Sequence, residues 1–151
     1  MNVLVLGGAG YIGSLLCDKL VLKGYNVTVI DLLKYSTSSL SHLFFYKNFK
    51  FIKEDIRKVN ILRKYTKNQD LIIPLAALVG APLCEKKKSE AISTNLSSVK
   101  TLLKIIKPKQ KLIYLTTNSG YGIGKKNKFC DESSPLNPIF FMEEQKLRLK
   151  I

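Results

Sequence analysis

The chain has 151 residues, a hydrophobic fraction of 46% and a formal net charge of +14. This length fits one domain, and the apolar content excludes a disordered chain. The charge comes from 22 lysines and 3 arginines that are scattered along the sequence, whereas nucleic-acid surfaces usually recruit arginine and interleaved aromatic residues. We therefore expect a solvated lysine-rich surface and keep a basic nucleic-acid-binding protein as a minor alternative.

The three cysteines, Cys17, Cys84 and Cys130, lack the paired spacing of a zinc site or a disulfide framework. No metal site is predicted, and a reducing, cytoplasmic setting is expected. No signal peptide is recognisable, and no apolar run reaches the ~18 residues of a membrane-spanning helix. We therefore expect no membrane partner.

The N-terminal stretch predicts a strand, a glycine-rich turn and a helix in immediate succession. Asn2–Leu6 is a short uncharged apolar run typical of a buried parallel strand, and an apolar helical pattern then runs over Tyr11–Lys23. The glycines between and within these segments satisfy G-x-G-x-x-G and the related G-x-x-G-x-x-G; they are Gly7, Gly8, Gly10 and Gly13. Such a turn lets the backbone approach a pyrophosphate, which then sits on the free amides and positive dipole end of the helix.

A second apolar strand, Asn26–Ile30, is followed directly by Asp31, 18 residues after Gly13. A dinucleotide-binding fold places at this distance the carboxylate that binds the adenosine ribose hydroxyls. Because a carboxylate pairs with a free 2′-hydroxyl and repels a 2′-phosphate, NAD is favoured over NADP. The simpler alternative is a glycine-rich turn followed by an Asp at a strand end.

Strand and helix patterns alternate along the rest of the chain, which predicts a parallel α/β sheet. The further predicted strands are Phe49–Lys53, Asp70–Pro74 and Lys111–Leu115. The further predicted helices are Leu40–Tyr46, one beginning at Ile56, Ser89–Lys107 and a last segment, Ile139–Ile151.

Residues that follow the strands are candidate site residues, because ligands of open parallel sheets bind beyond the carboxyl ends of the strands. Asp55 can accept a hydrogen bond from an adenine amino group while Ile56 covers the ring. Asp55 can also be a helix N-cap, and the two roles can hold together. The small residues in Leu75–Gly80 let backbone pass close to a ligand, or form an apolar loop that fills the core. Hydroxyl groups collect at 116–119, and Asn95, which interrupts an apolar helix face, needs buried partners.

Together these motifs resemble the NAD-dependent epimerase/dehydratase family, the extended short-chain dehydrogenases that act on nucleotide sugars. The resemblance covers residues 1 to about 138 and rests on GGAGYIG, Asp31, Asp55-Ile56, LAALVGAPLCE, Asn95, YLTTNSGYG and DESSPLNP, in family order. It implies NAD as cofactor, a nucleotide-sugar substrate and a homodimer in the intact family. It also implies a Rossmann-type doubly wound parallel sheet, truncated here after about five strands. The expected organisation is an incomplete NAD-binding domain over 1–139 and an atypical tail over 140–151.

The resemblance also implies a role for individual residues. The implied cofactor contacts are Gly7, Gly10, Tyr11, Ile12 and Gly13 for the pyrophosphate, Asp31 and Leu32 for the adenosine ribose, Asp55 and Ile56 for adenine, and Leu75, Ala76, Ala77, Leu78 and Asn95 for the nicotinamide half. Thr117 falls at the family's catalytic Ser/Thr, where its hydroxyl would polarise the sugar oxygen that is oxidised. Asn118 and Ser119 replace the Asp-Glu pair of the family's dehydratases, which favours an epimerase or a simple dehydrogenase.

The family pattern breaks after Pro138. The family's general base is a Tyr four residues before a Lys on one helix face, where the Lys cation lowers the Tyr pKa. Lys146 falls at the catalytic lysine position, but Met142 occupies the tyrosine position, and a thioether cannot act as a base. Tyr121 and Lys125 share the spacing, but the two glycines between them disfavour the helix that would align them. The chain as given is therefore predicted to be catalytically incompetent.

A frame shift in the coding sequence accounts for the unusual tail. The expected continuation is Tyr-Gly-Arg-Thr-Lys-Val-Glu-Ala-Glu. When suitable codons for this sequence are read from their second base, they encode Met-Glu-Glu-Gln-Lys-Leu-Arg-Leu, which is Met142–Leu149. We therefore predict that translation is out of frame from Phe140 onward and that the substrate-binding part and most dimer-forming helices are absent. Sequencing the gene and its downstream region tests this hypothesis, and it fails if no neighbouring frame continues the family sequence.

Two alternatives from other functional classes remain open at this point. One is a non-catalytic NAD-binding module that regulates a partner, which measurable NAD affinity without turnover would favour. The other is the basic nucleic-acid binder. Salt-dependent retention on DNA that NAD does not displace would favour it.

Overall fold

A five-stranded parallel sheet with the strand order β3-β2-β1-β4-β5 forms the centre of the computed structural model. The structure describes residues 1–35, 37–123, 129–131 and 133–138. The strands are β1 (Asn2–Leu6), β2 (Asn26–Asp31), β3 (Phe49–Lys53), β4 (Leu71–Pro74) and β5 (Lys111–Leu112). The strand order reverses at β1, which has β2 on one side and β4 on the other. The loops after these central strands therefore flank the crevice where open α/β sheets bind ligands.

Helices cover both faces of the sheet. They are α1 (Tyr11–Leu22), α2 (Val59–Thr66), α3 (Ala81–Lys86), α4 (Lys88–Ala91) and α5 (Ser98–Ile105), and a π-helical turn over Ile92–Ser97 joins α4 to α5. Short 3₁₀ turns lie at Ser41–Leu43 and Asn118–Tyr121. No helix within the described ranges has the length and apolar character needed to span a bilayer.

The alternation of side chains along β1 creates two separate cores. Val3 and Val5 pack with Cys17 and Val21 of α1 on one face of the sheet. On the other face, Leu4 and Leu6 pack with Leu62 of α2 and Leu102 of α5. The odd-numbered and even-numbered residues of β1 therefore face opposite cores. All of these β1 side chains are essentially buried, at 0–2% exposure. The predicted doubly wound parallel sheet is thus confirmed.

Three predicted helices differ from the structure. In place of the helix expected over Leu40–Tyr46, the structure has a 3₁₀ turn at Ser41–Leu43. The helix expected from Ile56 begins at Val59, because the Asp55 carboxylate accepts a hydrogen bond from the Arg57 amide (2.8 Å) and holds the intervening residues in a turn. The single helix expected over Ser89–Lys107 is interrupted by the π-helical turn. The last predicted helix, Ile139–Ile151, lies outside the described residues.

The fifth strand is shorter than predicted. Regular pairing with β4 covers Lys111–Leu112 instead of Lys111–Leu115, although the Ile113 amide still donates to the Ile72 carbonyl (3.0 Å). Ile113 is 50% exposed and Leu115 is 37% exposed, so apolar side chains lie open at this edge of the described sheet. Such an edge exposes both hydrogen-bonding groups and apolar surface.

Candidate active site

A cleft with an enclosed volume of about 130 Å³, open to solvent, lies at the carboxyl ends of the central strands. Its described lining consists of Gly7, Ala9, Gly10, Ile30, Asp31, Leu32, Leu33, Lys34, Tyr35, Glu54, Asp55, Ile56, Arg57, Leu75, Ala76, Ala77, Leu78 and Thr94. The loops after β1, β2, β3 and β4 thus meet at one place, as the sequence predicted for a ligand site in this fold.

The glycine-rich loop and the loop after β4 are in direct backbone contact. Gly7 adopts a left-handed conformation (φ 87°), and a Cβ added there would lie 2.6 Å from the Ala76 Cα. The Leu75 and Ala76 amides both donate to the Leu6 carbonyl at 2.7 Å. Gly13 has a related constraint, because its Cβ would lie 2.5 Å from the Gly7 carbonyl oxygen. Glycine at positions 7 and 13 is therefore required by packing within the protein itself.

Gly10 differs from these glycines because none of the described residues excludes a side chain there. Its backbone is ordinary (φ −76°, ψ 177°), and the atom nearest to an added Cβ is the Gly7 oxygen at 3.6 Å. Gly10 is also the N-cap of α1, whose N-terminus has no side-chain cap and no acidic residue in its first turn. Uncapped helix amides with nearby backbone free of side chains fit the binding of a phosphate group.

The Asp31 carboxylate links the second strand to the glycine-rich loop. Its two oxygens accept hydrogen bonds from the Ala9 amide (3.0 Å) and the Leu33 amide (2.7 Å). Leu33 takes a left-handed conformation (φ 56°), which is rare for a branched residue and is stabilised by this bond. Asp31 is half-buried and lines the cleft, so a carboxylate and the proposed phosphate loop lie side by side.

Cys17 lies behind this carboxylate, in the core between α1 and the sheet. Burial and, to a smaller extent, the negative charge of Asp31 raise the pKa of the Cys17 thiol to about 12. The thiol is therefore neutral at physiological pH, and it acts as an apolar packing group.

Asp55 and Arg57 form a forked ion pair at the end of β3. The Asp55 oxygens lie 2.9 and 3.0 Å from Arg57 Nε and 2.5 Å from Nη2, and these bonds hold the Asp55 pKa below its usual value. The helix N-cap alternative for Asp55 is wrong, because Lys58 occupies the N-cap of α2. Ile56, between the paired residues, is 6% exposed and supplies an apolar part of the lining.

Asn95 meets the need for buried partners by bonding to the loop after β4. Its Oδ1 accepts from the Leu78 amide and its Nδ2 donates to the Leu78 carbonyl, both at 2.8 Å, and the residue is 2% exposed. The π-helical turn carries this side chain. Asn95 is not among the described residues that line the cleft, so it shapes the site through Leu78.

Tyr11, Ile12 and Thr117 are predicted site residues that are not among the described residues lining the cleft. Tyr11 and Ile12, 86% and 56% exposed, begin α1 without contributing to the lining. Thr117 is half-buried, and its Oγ1 lies 2.7 Å from Ser119 Oγ. Met142 and Lys146 lie outside the described residues. The catalytic roles of Thr117 and Lys146 therefore stay predictions.

Several lining residues were not anticipated from the sequence. The charged ones are Lys34, Glu54 and Arg57, and the others include Ala9, Tyr35 and Thr94. Their position shortly after β1, β2 or β3 was a usable signal for all but Thr94, which reaches the cleft from the π-helical turn. Within the described residues, no cluster of His, Cys, Asp or Glu could hold a metal ion.

Comparison with known families gives this site its context. The model of the NAD dependent epimerase/dehydratase family matches residues 3–148, nearly the whole sequence and ten residues more than the resemblance seen in the motifs. The chain therefore belongs to this NAD-dependent family.

The relatives that it matches are enzymes acting on nucleotide sugars, by their names. UDP-N-acetyl-alpha-D-glucosaminuronate decarboxylase from Bacillus cytotoxicus is 34% identical over 122 residues, which are 80% of this chain and 38% of the relative. UDP-glucose 4-epimerase from Lactobacillus helveticus is 30% identical over 99% of this chain and 45% of the relative. The chain thus spans less than half the length of these curated relatives.

Solved structures show the same partial coverage. A Tyr-to-Phe variant of UDP-glucuronic acid 4-epimerase from Bacillus cereus, bound to a fluorinated UDP-sugar and NAD, superposes with a TM-score of 0.85 at 29% identity. It is matched over 97% of this chain and 49% of its own. UDP-N-acetylglucosamine 4-epimerase from Methanobrevibacter ruminantium gives a TM-score of 0.87 at 29% identity, with 97% and 47% coverage.

Proposed function

We propose that residues 1–139 are the NAD-binding part of a nucleotide-sugar epimerase/dehydratase-type oxidoreductase. The observation that carries this proposal is the approach of the Asp31 carboxylate to the glycine-rich loop, 3.0 Å from the Ala9 amide, at the mouth of a parallel sheet. A dinucleotide site needs a phosphate-binding turn next to a ribose-binding carboxylate, and the adjacency of the glycine-rich loop and Asp31 supports these roles.

The residues of the cleft fit NAD group by group. The backbone around Gly10 and the uncapped amides of α1 would hold the pyrophosphate, and Asp31 would accept hydrogen bonds from the adenosine ribose. Ile56 would cover one face of the adenine, with the Asp55 carboxylate beside it. The small residues 75–78 would let the nicotinamide half pass close to backbone. When bound, NAD supplies the hydride acceptor for oxidation of a hydroxyl group.

Nucleotide sugars are the proposed substrate class of the intact enzyme, because the names of both curated relatives specify UDP-linked substrates. Thr117 is the proposed hydroxyl that would polarise the substrate oxygen. The chain as given has Met142 at the expected tyrosine position, so we propose that it binds NAD without turning over a sugar. This residue also favours the second candidate function, a non-catalytic NAD-binding module.

Calorimetric titration of the purified chain with NAD⁺ tests the proposal. We expect saturable binding and, when UDP-glucose is added, neither accumulation of NADH nor conversion of the sugar to its C4 epimer. Asp31→Asn should weaken NAD⁺ binding about tenfold, because one charged acceptor for the ribose hydroxyls is lost. Circular dichroism shows whether the variant is folded. A folded wild-type chain that fails to bind NAD⁺ would contradict the proposal. Measurable turnover of the sugar would contradict the proposed lack of catalytic activity.

A further inference from the structure

A row of alternating charges crosses the edge of the cleft. Glu90 of α4 forms an ion pair with Lys34 of the loop after β2 and lies 3.6 Å (Oε2 to Nζ) from Lys87. The forked Asp55–Arg57 pair lies on the neighbouring loop. Lys34 and Arg57 are the cations among the described lining residues, and each is already paired with a carboxylate.

Lys34 is placed where a cation bears on cofactor choice. It follows Asp31 by three residues on the same loop, and both residues line the cleft. NADP differs from NAD by a phosphate on the adenosine 2′-hydroxyl, and phosphate groups are recognised by lysine and arginine. A free Lys34 ammonium beside the ribose carboxylate would therefore attract the 2′-phosphate that Asp31 repels.

Glu90 is the carboxylate that pairs with the Lys34 ammonium. Its side chain is 23% exposed, less than those of its partners Lys34 (43%) and Lys87 (53%). The hydrogen bond from Lys34 holds the Glu90 pKa below its ordinary value, so the carboxylate is charged throughout the neutral range. Two lysines thus converge on one ionised carboxylate at the edge of the cleft.

We propose that Glu90 is a second determinant of NAD specificity, which withholds the Lys34 ammonium from the 2′-phosphate of NADP by pairing with it. This inference rests on the proposed function and adds a residue outside the glycine-rich loop and the Asp31 position. Asp31 acts by repelling a 2′-phosphate, whereas Glu90 acts by neutralising a cation that would otherwise bind it.

The experiment compares two fragments that differ only in the 2′-phosphate, 5′-AMP and adenosine 2′,5′-bisphosphate, in calorimetric titrations of the full chain. Glu90→Gln should improve bisphosphate binding about threefold relative to 5′-AMP, the size expected for a partly exposed charge. The gain should disappear at 1 M salt, where the screening length falls to about 3 Å. The ratio of NADP⁺ affinity to NAD⁺ affinity should also rise in Glu90→Gln.

Three further variants separate this role from a general effect of charge. Glu85→Gln removes the same charge from the preceding helix, where Glu85 pairs with Lys88 at 2.9 Å away from the described cleft lining, and should leave the ratio unchanged. Glu90→Ser removes the Glu90 charge with a different side chain and should reproduce the Glu90→Gln gain. Adding Lys34→Gln to Glu90→Gln should abolish that gain.

An unchanged fragment ratio in folded Glu90→Gln or Glu90→Ser protein would overturn the inference, as would a gain that persists after Lys34 is replaced. An equal gain in Glu85→Gln would also overturn it. These outcomes are distinct from failure of the proposed function, in which the wild-type chain binds neither 5′-AMP nor NAD⁺.

Discussion

Replacing Gly10 with alanine should strongly weaken NAD binding while leaving the fold intact. The protein leaves room for the added methyl group, since the nearest atom is the Gly7 oxygen at 3.6 Å, and the backbone conformation suits alanine. The loss of stability should stay below about 1 kcal/mol, the usual range for an N-cap change. The methyl group would instead occupy the space of the pyrophosphate, and we expect NAD⁺ affinity to fall by about 100-fold, or about 2.8 kcal/mol.

Gly24→Ala is the matched control for this prediction. Gly24 follows α1 in a left-handed conformation (φ 81°), and no protein atom lies within 4 Å of an added Cβ. Alanine there should lower the free energy of unfolding by about 1 kcal/mol through backbone strain, with no change in NAD⁺ affinity, because the residue is remote from the cleft lining. Urea denaturation and calorimetry measure both quantities. NAD⁺ affinity of Gly10→Ala within threefold of wild type would show that the phosphates lie elsewhere.

Asn95→Leu should cause a large loss of stability. Leucine fills a similar volume but leaves the Leu78 amide without its acceptor, while the Leu78 carbonyl keeps only the Cys84 thiol at 3.4 Å. Because a buried polar group without a partner costs about 1–3 kcal/mol, the free energy of unfolding should fall by about 3 kcal/mol. Loosening of the loop at residues 75–78 should also weaken NAD⁺ binding.

Ser97→Ala tests whether any substitution in the π-helical turn would have the same effect. Ser97 lies in the same turn, and its side chain is exposed. Its replacement should change the free energy of unfolding by less than about 0.5 kcal/mol. Urea denaturation at constant m-value compares the two variants, and equal destabilisation would mean that the Asn95 bonds to Leu78 contribute little.

The succession of strand, glycine-rich turn and helix at the N-terminus could be predicted because its signals are local. Asn2–Leu6 is uniformly apolar, the glycines follow at once, and a carboxylate ends the next strand. Each of these features is set by neighbours in sequence, and together they also indicated the family to which the chain belongs.

The features that sequence analysis missed depend on contacts between distant segments. Asn95 could be recognised as a buried polar residue in need of partners, but its bonds to Leu78 depend on how the π-helical turn meets the loop after β4. The pairing of Lys34 with Glu90 joins residues 56 positions apart, and neither residue belongs to a recognisable motif. The predicted start of α2 was wrong because the Asp55 carboxylate accepts a hydrogen bond from the Arg57 amide, and this local bond outweighs the apolar pattern.

The contact between Gly7 and Ala76 ties together the glycine-rich loop and the loop after β4, which we propose to hold the two halves of a dinucleotide. The two residues follow adjacent hydrogen-bonded strands, β1 and β4, whose separation is fixed near 4.8 Å by the backbone. A larger residue at position 76 would press on the glycine-rich loop, so side-chain size at positions 7 and 76 cannot change independently.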